Sequence, residues 1–204
     1  MILDSNPSRP LPQTLSEITS GKTLEYTDKE LFEKFLDEKT RHYAFNLLVN
    51  QYQQRLYWHI RRILLDHDDT NDVIQNVFIK VWKNFENFRQ DSQLYTWLYR
   101  IATNEALTFL KQKKRRAFVS FSDVEYEMAD SLNNDPLFTG DKIQLKLQQA
   151  ILKLPPQQRL VFNMKYFDAM KYEEISEILG VTIGALKATY HHAVKKISKY
   201  VSEI

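Results

Sequence analysis

Helical periodicity dominates this sequence of 204 residues. In almost every long segment the apolar residues recur at intervals of three and four, which is the spacing of one face of an α-helix. No segment shows the alternation of apolar and polar residues that marks a half-buried strand. The sequence therefore predicts an all-α fold.

The helical patterning falls into two blocks. Residues 28–116 contain four predicted helices, enough chain for a core of its own, and residues 142–204 predict a smaller helical bundle. Between them, residues 117–141 carry scattered apolar positions and no Lys or Arg, which predicts an acidic flexible linker. Residues 1–27 hold three of the six prolines and predict a disordered leader. The chain is thus expected to form two small helical domains.

Charge is distributed in blocks, although the formal net charge is only +2. The blocks carry −3 over 1–79, +6 over 80–116, −6 over 117–141 and +5 over 142–204. Basic segments favour binding to polyanions, and an acidic segment avoids them. This pattern indicates two polyanion-binding units joined by an acidic tether.

Composition excludes several classes of function. The absence of cysteine removes disulfides, zinc–thiolate sites, iron–sulfur clusters and thiol catalysis. Apolar runs are only a few residues long, which is too short to span a bilayer, and no signal peptide is visible, so a cytoplasmic protein is expected. The four glycines form no phosphate loop, and the consecutive His191 and His192 point in different directions on a helix. We expect no enzyme activity, no cofactor and no metal.

The sharpest motif is a helix-turn-helix. A short amphipathic helix from Tyr172 ends at Gly180, where a left-handed turn residue is wanted, and Thr182 is suited to cap the next helix. In this motif the second helix enters the DNA major groove. The expected inner stripe of that helix is Leu186, Tyr190, Val194 and Ile197. The residues expected to face duplex DNA are Thr182, Gly184, Ala185, Lys187, Ala188, His191, His192 and Lys195.

A second motif is the basic, aromatic helix predicted over 93–116. Aromatic faces stack on unpaired bases while cations follow the backbone, so this composition suits single-stranded nucleic acid. Its rings are Tyr95, Trp97, Tyr99 and Phe109. The alternatives are that Trp97 belongs to the core and that the basic end of the helix complements its own macrodipole.

A third motif is the helix predicted over about 70–84. Gln75, Phe78, Ile79 and Trp82 lie at near-helical spacing, with more apolar surface than one buried stripe needs. This surplus favours a face for a partner protein, and the alternative is that all of it is core.

Several separated motifs occur in the order seen in one protein family. They are Asp72-Val-Ile-Gln75 with Phe78-Ile-Lys-Val-Trp82, Phe88-Arg89, Tyr95-Thr-Trp-Leu-Tyr-Arg-Ile-Ala102 with Asn104, Leu154-Pro155 with Gln158-Arg159, and Tyr172-Glu-Glu-Ile175 with Gly180. The chain resembles the extracytoplasmic-function (ECF) group of bacterial RNA polymerase sigma factors. Residues 28–116 correspond to region 2 of that family and residues 142–201 to region 4.

The resemblance implies a specific set of partners. Such proteins bind core RNA polymerase, contacting the β′ clamp helices and the β subunit, and the implied docking residues are Asp72, Gln75, Phe78 and Trp82. They melt the promoter −10 element, for which the implied contacts are Phe88, Arg89, Trp97, Arg100, Asn104, Lys111, Lys114 and Arg115. Region 4 reads the −35 element through the helix-turn-helix residues given above. An anti-sigma factor is a further possible partner, and no small-molecule substrate is implied.

Two departures from the family pattern stand out. Asn76 occupies a position that is usually acidic, and the recognition helix reads Leu186-Lys187-Ala188-Thr189 where the family usually has Arg. Lys187 is the only early cation that could replace an Arg contact to guanine.

Two other functions fit parts of the sequence. A free-standing helix-turn-helix regulator would use the N-terminal helices for sensing or dimerisation. A metal-dependent nuclease would use the carboxylates of Asp66, Asp68, Asp69 and Asp72, although adjacent Asp residues before a helix more often serve as N-caps.

Overall fold

A computed structural model describes residues 26–88, 91–117 and 142–202, and in those ranges all regular structure is helical. The first range contains three α-helices and a 3₁₀ turn at Phe85–Asn87, the second one helix and the third four. The α-helices are α1 (Asp28–Leu36), α2 (Arg41–Leu64), α3 (His67–Asn84), α4 (Leu94–Ala117), α5 (Lys142–Leu152), α6 (Pro156–Tyr166), α7 (Tyr172–Leu179) and α8 (Ile183–Ser202). The all-α fold predicted from the sequence is confirmed.

Local capping sets the first helix. The Glu30 N–H donates to the Thr27 hydroxyl at 3.3 Å, and the Thr27 N–H donates to the Glu30 carboxylate at 2.8 Å. This reciprocal pair is a capping box, which satisfies donors that the helix itself cannot pair. Thr27 followed three residues later by Glu30 is the sequence signature of this box.

Helices α1 to α4 form the N-terminal unit around an aromatic core. Phe35 packs edge-on against Phe85 and Trp82, at ring-centroid distances of 4.6 and 5.3 Å. The unit is completed by the buried aliphatic stripes of α2, α3 and α4, which face one another. This packing fixes which faces of α3 and α4 remain outside.

Helices α5 to α8 form the C-terminal unit. The buried stripe of α8 consists of Leu186, Ala193 and Ile197, with Tyr190 partly buried beside them. The expectation that Val194 lies inside is wrong, since its side chain is 38% exposed. The next residue inward is Ala193, which packs with Ala150 and Phe162 where α5 and α6 approach α8.

The two units are in contact. Helix α7 packs along α4, and one apolar cluster runs from the N-terminal core through Met164, Met170 and Ile175 of the C-terminal unit. At the edge of this contact the Asp168 carboxylate accepts from Arg62 and pairs with His59.

Some predictions concern residues outside the described ranges. Outside the described ranges are the predicted leader apart from its last two residues and the predicted linker apart from Ala117. The candidate contact Arg89 is also outside them. Within the described ranges no helix is both long enough and apolar enough to cross a membrane.

Candidate polymerase and DNA interfaces

Helix α3 presents one face to the core and another outward. Its inward stripe of Val73, Val77 and Val81 is buried. Opposite it lies a surface that we call the α3 outer face. This face consists of Asp72, Gln75, Phe78, Ile79 and Trp82. Asp72 and Gln75 are exposed, and Phe78 and Trp82 are partly buried.

The two aromatic rings of the α3 outer face are held from behind by other helices. The Trp82 ring stacks on His42 at 4.9 Å and meets Phe45 edge-on at 5.0 Å. Phe78 also meets Phe45 edge-on, at 6.4 Å. The rings therefore have fixed orientations before any partner binds.

Ile79 belongs to this face by its helical spacing, although the docking residues implied by the family resemblance do not include it. Its side chain is 51% exposed. An isolated exposed isoleucine is ordinary, but here it extends an apolar surface over neighbouring rings. Its helical spacing from Gln75 and Trp82 is the sequence signal that places it on this face.

The carboxylates near the start of α3 have separate structural roles. Asp66 accepts from the Asp69 N–H at 2.8 Å as the N-cap, and Asp69 accepts from Lys113 at 2.8 Å. In the described parts of the chain no group of three or more His, Cys, Asp or Glu side chains is placed to hold a metal. The arrangement gives the nuclease alternative no assembled site.

Helix α4 carries one aromatic residue, Trp97, on the same side as most of its candidate polar contacts. Trp97, Arg100, Asn104, Lys111 and Arg115 follow one another at intervals of three, four, seven and four, so they share one side. We call this side the α4 outer face. Asn104, Lys111 and Arg115 are exposed on it. The Nε atom of Arg100 is buried and has no hydrogen-bond partner among the described residues. The side chain of Lys114 is not described.

Two of the implied −10 contacts, Phe88 and Trp97, pack against aromatic rings of the N-terminal core. Phe88 is only 6% exposed and packs against Phe32 at 5.8 Å and Trp97 at 5.3 Å. Trp97 is partly buried and also lies 5.9 Å from Phe85. Phe88 is thus placed in the core, whereas one side of Trp97 reaches the surface.

Tyr95 and Tyr99 lie on the other side of α4, under the C-terminal unit. Their rings are 4.4 Å apart, and Tyr99 is 2% exposed. Burial, followed by the nearby Asp168 charge, raises the pKa of Tyr99 well above its usual value. Burial likewise raises the pKa of Tyr95 to about 12. In this conformation the two rings belong to the contact between the units.

The helix-turn-helix has the local geometry that the sequence indicates. Gly180 adopts φ +67°, and its N–H donates to the Ser176 carbonyl at 2.9 Å. The Thr182 hydroxyl accepts from the Ala185 N–H at 3.4 Å, which caps α8. Tyr190 stacks on Phe162 at 5.8 Å and joins α8 to α6.

All the residues expected to face duplex DNA are exposed on α8 or at its start. They are Thr182, Gly184, Ala185, Lys187, Ala188, His191, His192 and Lys195. The Lys187 ammonium lies 5.8 Å from the centre of the Tyr172 ring of α7. The recognition helix therefore presents a continuous face of small and basic side chains.

Comparisons with known proteins agree with this division of the chain. Residues 48–116 match Sigma-70 region 2, and residues 144–197 match Sigma-70, region 4. The RNA polymerase sigma-H factor of Pseudomonas aeruginosa is 32% identical over 180 residues, which cover 84% of this chain and 92% of that protein. The ECF RNA polymerase sigma-E factor of Escherichia coli K12 is 31% identical over 186 residues, covering 87% and 96%.

Two solved structures share the fold at 20% sequence identity. One is the sigma factor RpoE in complex with the anti-sigma factor NepR from Bartonella quintana, with a TM-score of 0.65, covering 78% of this chain and 96% of that one. The other is CnrH in complex with the cytosolic domain of CnrY, with a TM-score of 0.62, covering 86% and 97%. Sequence identity over most of the chain, two regional matches and the helix-turn-helix geometry lead to one assignment: the chain belongs to the ECF group of RNA polymerase sigma factors.

Proposed function

We propose that the α3 outer face is the surface through which this sigma factor docks on core RNA polymerase, at the β′ clamp helices. The support is an exposed apolar side chain, Ile79, on the same helix face as the Phe78 and Trp82 rings, which pack against α2. A pre-oriented apolar centre with a polar edge at Asp72 and Gln75 is the usual composition of a protein–protein contact.

The α4 outer face is proposed to bind the melted −10 strand. Lys111 and Arg115 supply charge along the backbone path, Asn104 supplies an amide for a base edge, and Trp97 supplies a partly exposed ring. Phe88 is proposed to act on this surface from beneath, by supporting the Trp97 ring.

The exposed face of α8 is proposed to read the −35 duplex. The observation that carries this proposal is that all eight candidate residues are exposed, while Leu186 and Ala193, on the opposite side of α8, are buried. Lys187 is placed near the N-terminal end, where recognition helices contact base edges.

The remaining features of the proposal follow from the family. The domain limits are proposed as residues 28–116 and 142–204, preceded by the leader and joined by the acidic linker. Nucleotidyl transfer is carried out by the polymerase, so this chain is proposed to have no catalytic centre of its own. It is proposed to work in the cytoplasm, where the polymerase is. Since both solved relatives are complexes and one of them is named as a complex with an anti-sigma factor, such a factor is proposed as a partner here.

Run-off transcription with reconstituted core polymerase tests the assignment of the three surfaces. Ile79→Ala should weaken core binding at least about ten-fold, the effect of losing one central apolar contact. Leu36→Ala, a truncation of similar exposure on α1, should leave it unchanged. Equal effects of the two truncations would refute the α3 assignment.

The DNA surfaces are tested in the same system. Lys187→Ala should weaken −35-dependent initiation while core binding stays intact, and Lys196→Ala, exposed further along α8, serves as its matched control. Asn104→Ala should slow promoter opening and be rescued by a pre-melted template. Loss of core binding in Lys187→Ala, or no rescue of Asn104→Ala, would contradict these roles.

A further inference from the structure

One carboxylate joins the two units of the chain. Asp168, from the α6–α7 connection, has a side chain only 4% exposed. Its Oδ1 accepts from Nη1 of Arg62 at 2.8 Å, and its Oδ2 lies 2.8 Å from Nδ1 of His59. Both partners belong to α2, so this buried cluster is a contact between the units.

The hydrogen bonds around His59 define its role. The Thr103 hydroxyl donates its only proton to the Tyr99 carbonyl at 2.7 Å and lies 2.9 Å from Nε2 of His59. Nδ1 of His59 thus lies against the carboxylate, and Nε2 lies against the Thr103 hydroxyl. His59 and Arg62 thus face one shared carboxylate that comes from the other unit.

Further contacts surround this cluster at the end of α2. The Asn163 amide donates to the Arg62 carbonyl at 3.3 Å, one of the carbonyls that a helix end leaves unpaired. The Arg62 guanidinium lies 4.6 Å from the centre of the Phe167 ring. Leu65, at the α2 C-cap, is buried against Leu152 of α5.

Backbone strain is concentrated at the same contact. Among the described residues only Leu65 and Ala169 combine a side chain with positive φ, at +61° and +54°. Leu65 packs across the contact, and Ala169 directly follows Asp168. Strained residues of this kind persist where surrounding contacts hold them, and they often mark switching segments.

The docked arrangement cannot serve two promoter elements at once. Helix α7 lies on α4, and α4 is about 36 Å long at 1.5 Å per residue. Elements at −35 and −10 are separated by about 25 base pairs, or roughly 85 Å of duplex at 3.4 Å each. Fully extended, a segment of the length of 118–141 reaches about 80 Å, so a chain with separated units can cover that distance.

We infer that this sigma factor has a self-docked resting state, latched by Asp168 between His59 and Arg62, and that it must open before both promoter elements are bound. The inference rests on the proposed assignment of the DNA surfaces. The α3 outer face is exposed in the docked state, so core polymerase can bind first and opening can follow. Opening exposes Tyr95 and Tyr99.

Fluorescence energy transfer between two dyes on the full chain tests the latch without DNA or polymerase. The chain has no cysteine, so Glu33→Cys on α1 and Ser198→Cys on α8 supply unique labelling positions. Asp168→Asn removes the negative charge that pairs with the Arg62 guanidinium across the contact, which should raise the ratio of open to docked molecules about 100-fold. Asp69→Asn removes a carboxylate that pairs at 2.8 Å within the N-terminal unit and should transfer energy as the parent does.

A second variant separates opening from misfolding. Leu152→Ala removes the packing against Leu65 without changing charge, and it should also raise the open fraction while circular dichroism shows unchanged helix content. Low transfer in the parent chain, or unchanged transfer in both Asp168→Asn and Leu152→Ala, would overturn the inference.

A promoter fragment carrying both elements connects the latch to function. Asp168→Asn should bind it at least ten-fold more tightly than the parent does, and equal affinity would overturn the claim that docking restrains DNA binding. The two proposals can fail separately. If Asp168→Asn and Leu152→Ala lower the energy transfer but Lys187→Ala has no effect on initiation, the latch is supported and the proposed −35 surface is refuted.

Discussion

Replacing Phe88 by alanine distinguishes a core residue from a DNA contact. The ring is buried among Phe32, Phe85 and Trp97, and truncation of a buried phenylalanine costs about 3–5 kcal/mol. That loss is a large part of a total stability of about 5–15 kcal/mol. For a chain of this size each kcal/mol corresponds to about 2–4 °C, so the melting temperature should fall by roughly 10 °C.

Thermal unfolding followed by far-UV circular dichroism measures this loss. Phe88→Leu keeps most of the volume and should cost less than about 1.5 kcal/mol. Asn104→Ala, on the exposed outer face of α4, should leave the melting temperature unchanged and affect only opening of the −10 element. A Phe88→Ala protein with the parent melting temperature but defective promoter opening would show that the ring acts on DNA directly, and the packing argument would be refuted.

Four smaller perturbations test other parts of the structure. Thr27→Ala removes the capping box of α1 and should cost about 1 kcal/mol in the free energy of unfolding by urea. Gly180→Ala places a side chain at φ +67° and should cost about 1 kcal/mol by the same measurement, although no atom lies within 4 Å of the added Cβ. Lys187→Ala should reduce the slope of log affinity against log salt for −35 duplex by about 1. Because the pKa of Tyr99 is raised in the folded chain, the free energy of unfolding should keep its full value below about pH 10, the pKa of an unfolded tyrosine, and should fall as the pH rises above it. Tyr99→Phe should lose less of its free energy of unfolding over the same pH range.

Features determined by neighbouring residues could be predicted from the sequence. Thr27 and Glu30 form their capping box within one turn, and Gly180 needs only its own φ to end α7. The exposed face of α8 likewise follows from helical geometry once its buried side is known. These features depend on interactions within a few residues along the chain.

The start of α3 shows where local signals compete. Several residues before it can cap a helix, and the sequence predicts a start near Thr70. The structure begins α3 at His67, because Asp66 accepts from the Asp69 N–H and its carbonyl accepts from the Thr70 hydroxyl at 2.5 Å. The sequence offers several neighbouring residues that can cap a helix equally well. Capping by the first of them, Asp66, makes the helix about one turn longer than capping near Thr70 would.

The inner stripe of α8 depended on a tertiary contact that the sequence does not contain. Positions 193 and 194 both continue a spacing of three or four from Tyr190, and valine is the more apolar choice. Close approach of α5 and α6 selects Ala193, and Val194 turns to solvent. The latch was beyond prediction for the same reason, since Asp168 and His59 are separated by 109 residues.

The aromatic residues of α4 show a different limit, because their division was available from geometry alone. Composition groups Tyr95, Trp97 and Tyr99 as one stacking surface, but at 100° per residue Trp97 lies about 200° from Tyr95, and Tyr99 only 40°. The structure follows this division: the two tyrosines pack together near Asp168 of the C-terminal unit, and Trp97 stays on the outer face. In the docked state the outer face therefore has one partly exposed ring for an unpaired base, and the tyrosines become available only when the units separate. The proposed latch would therefore couple single-strand binding to opening of the chain through this one helix.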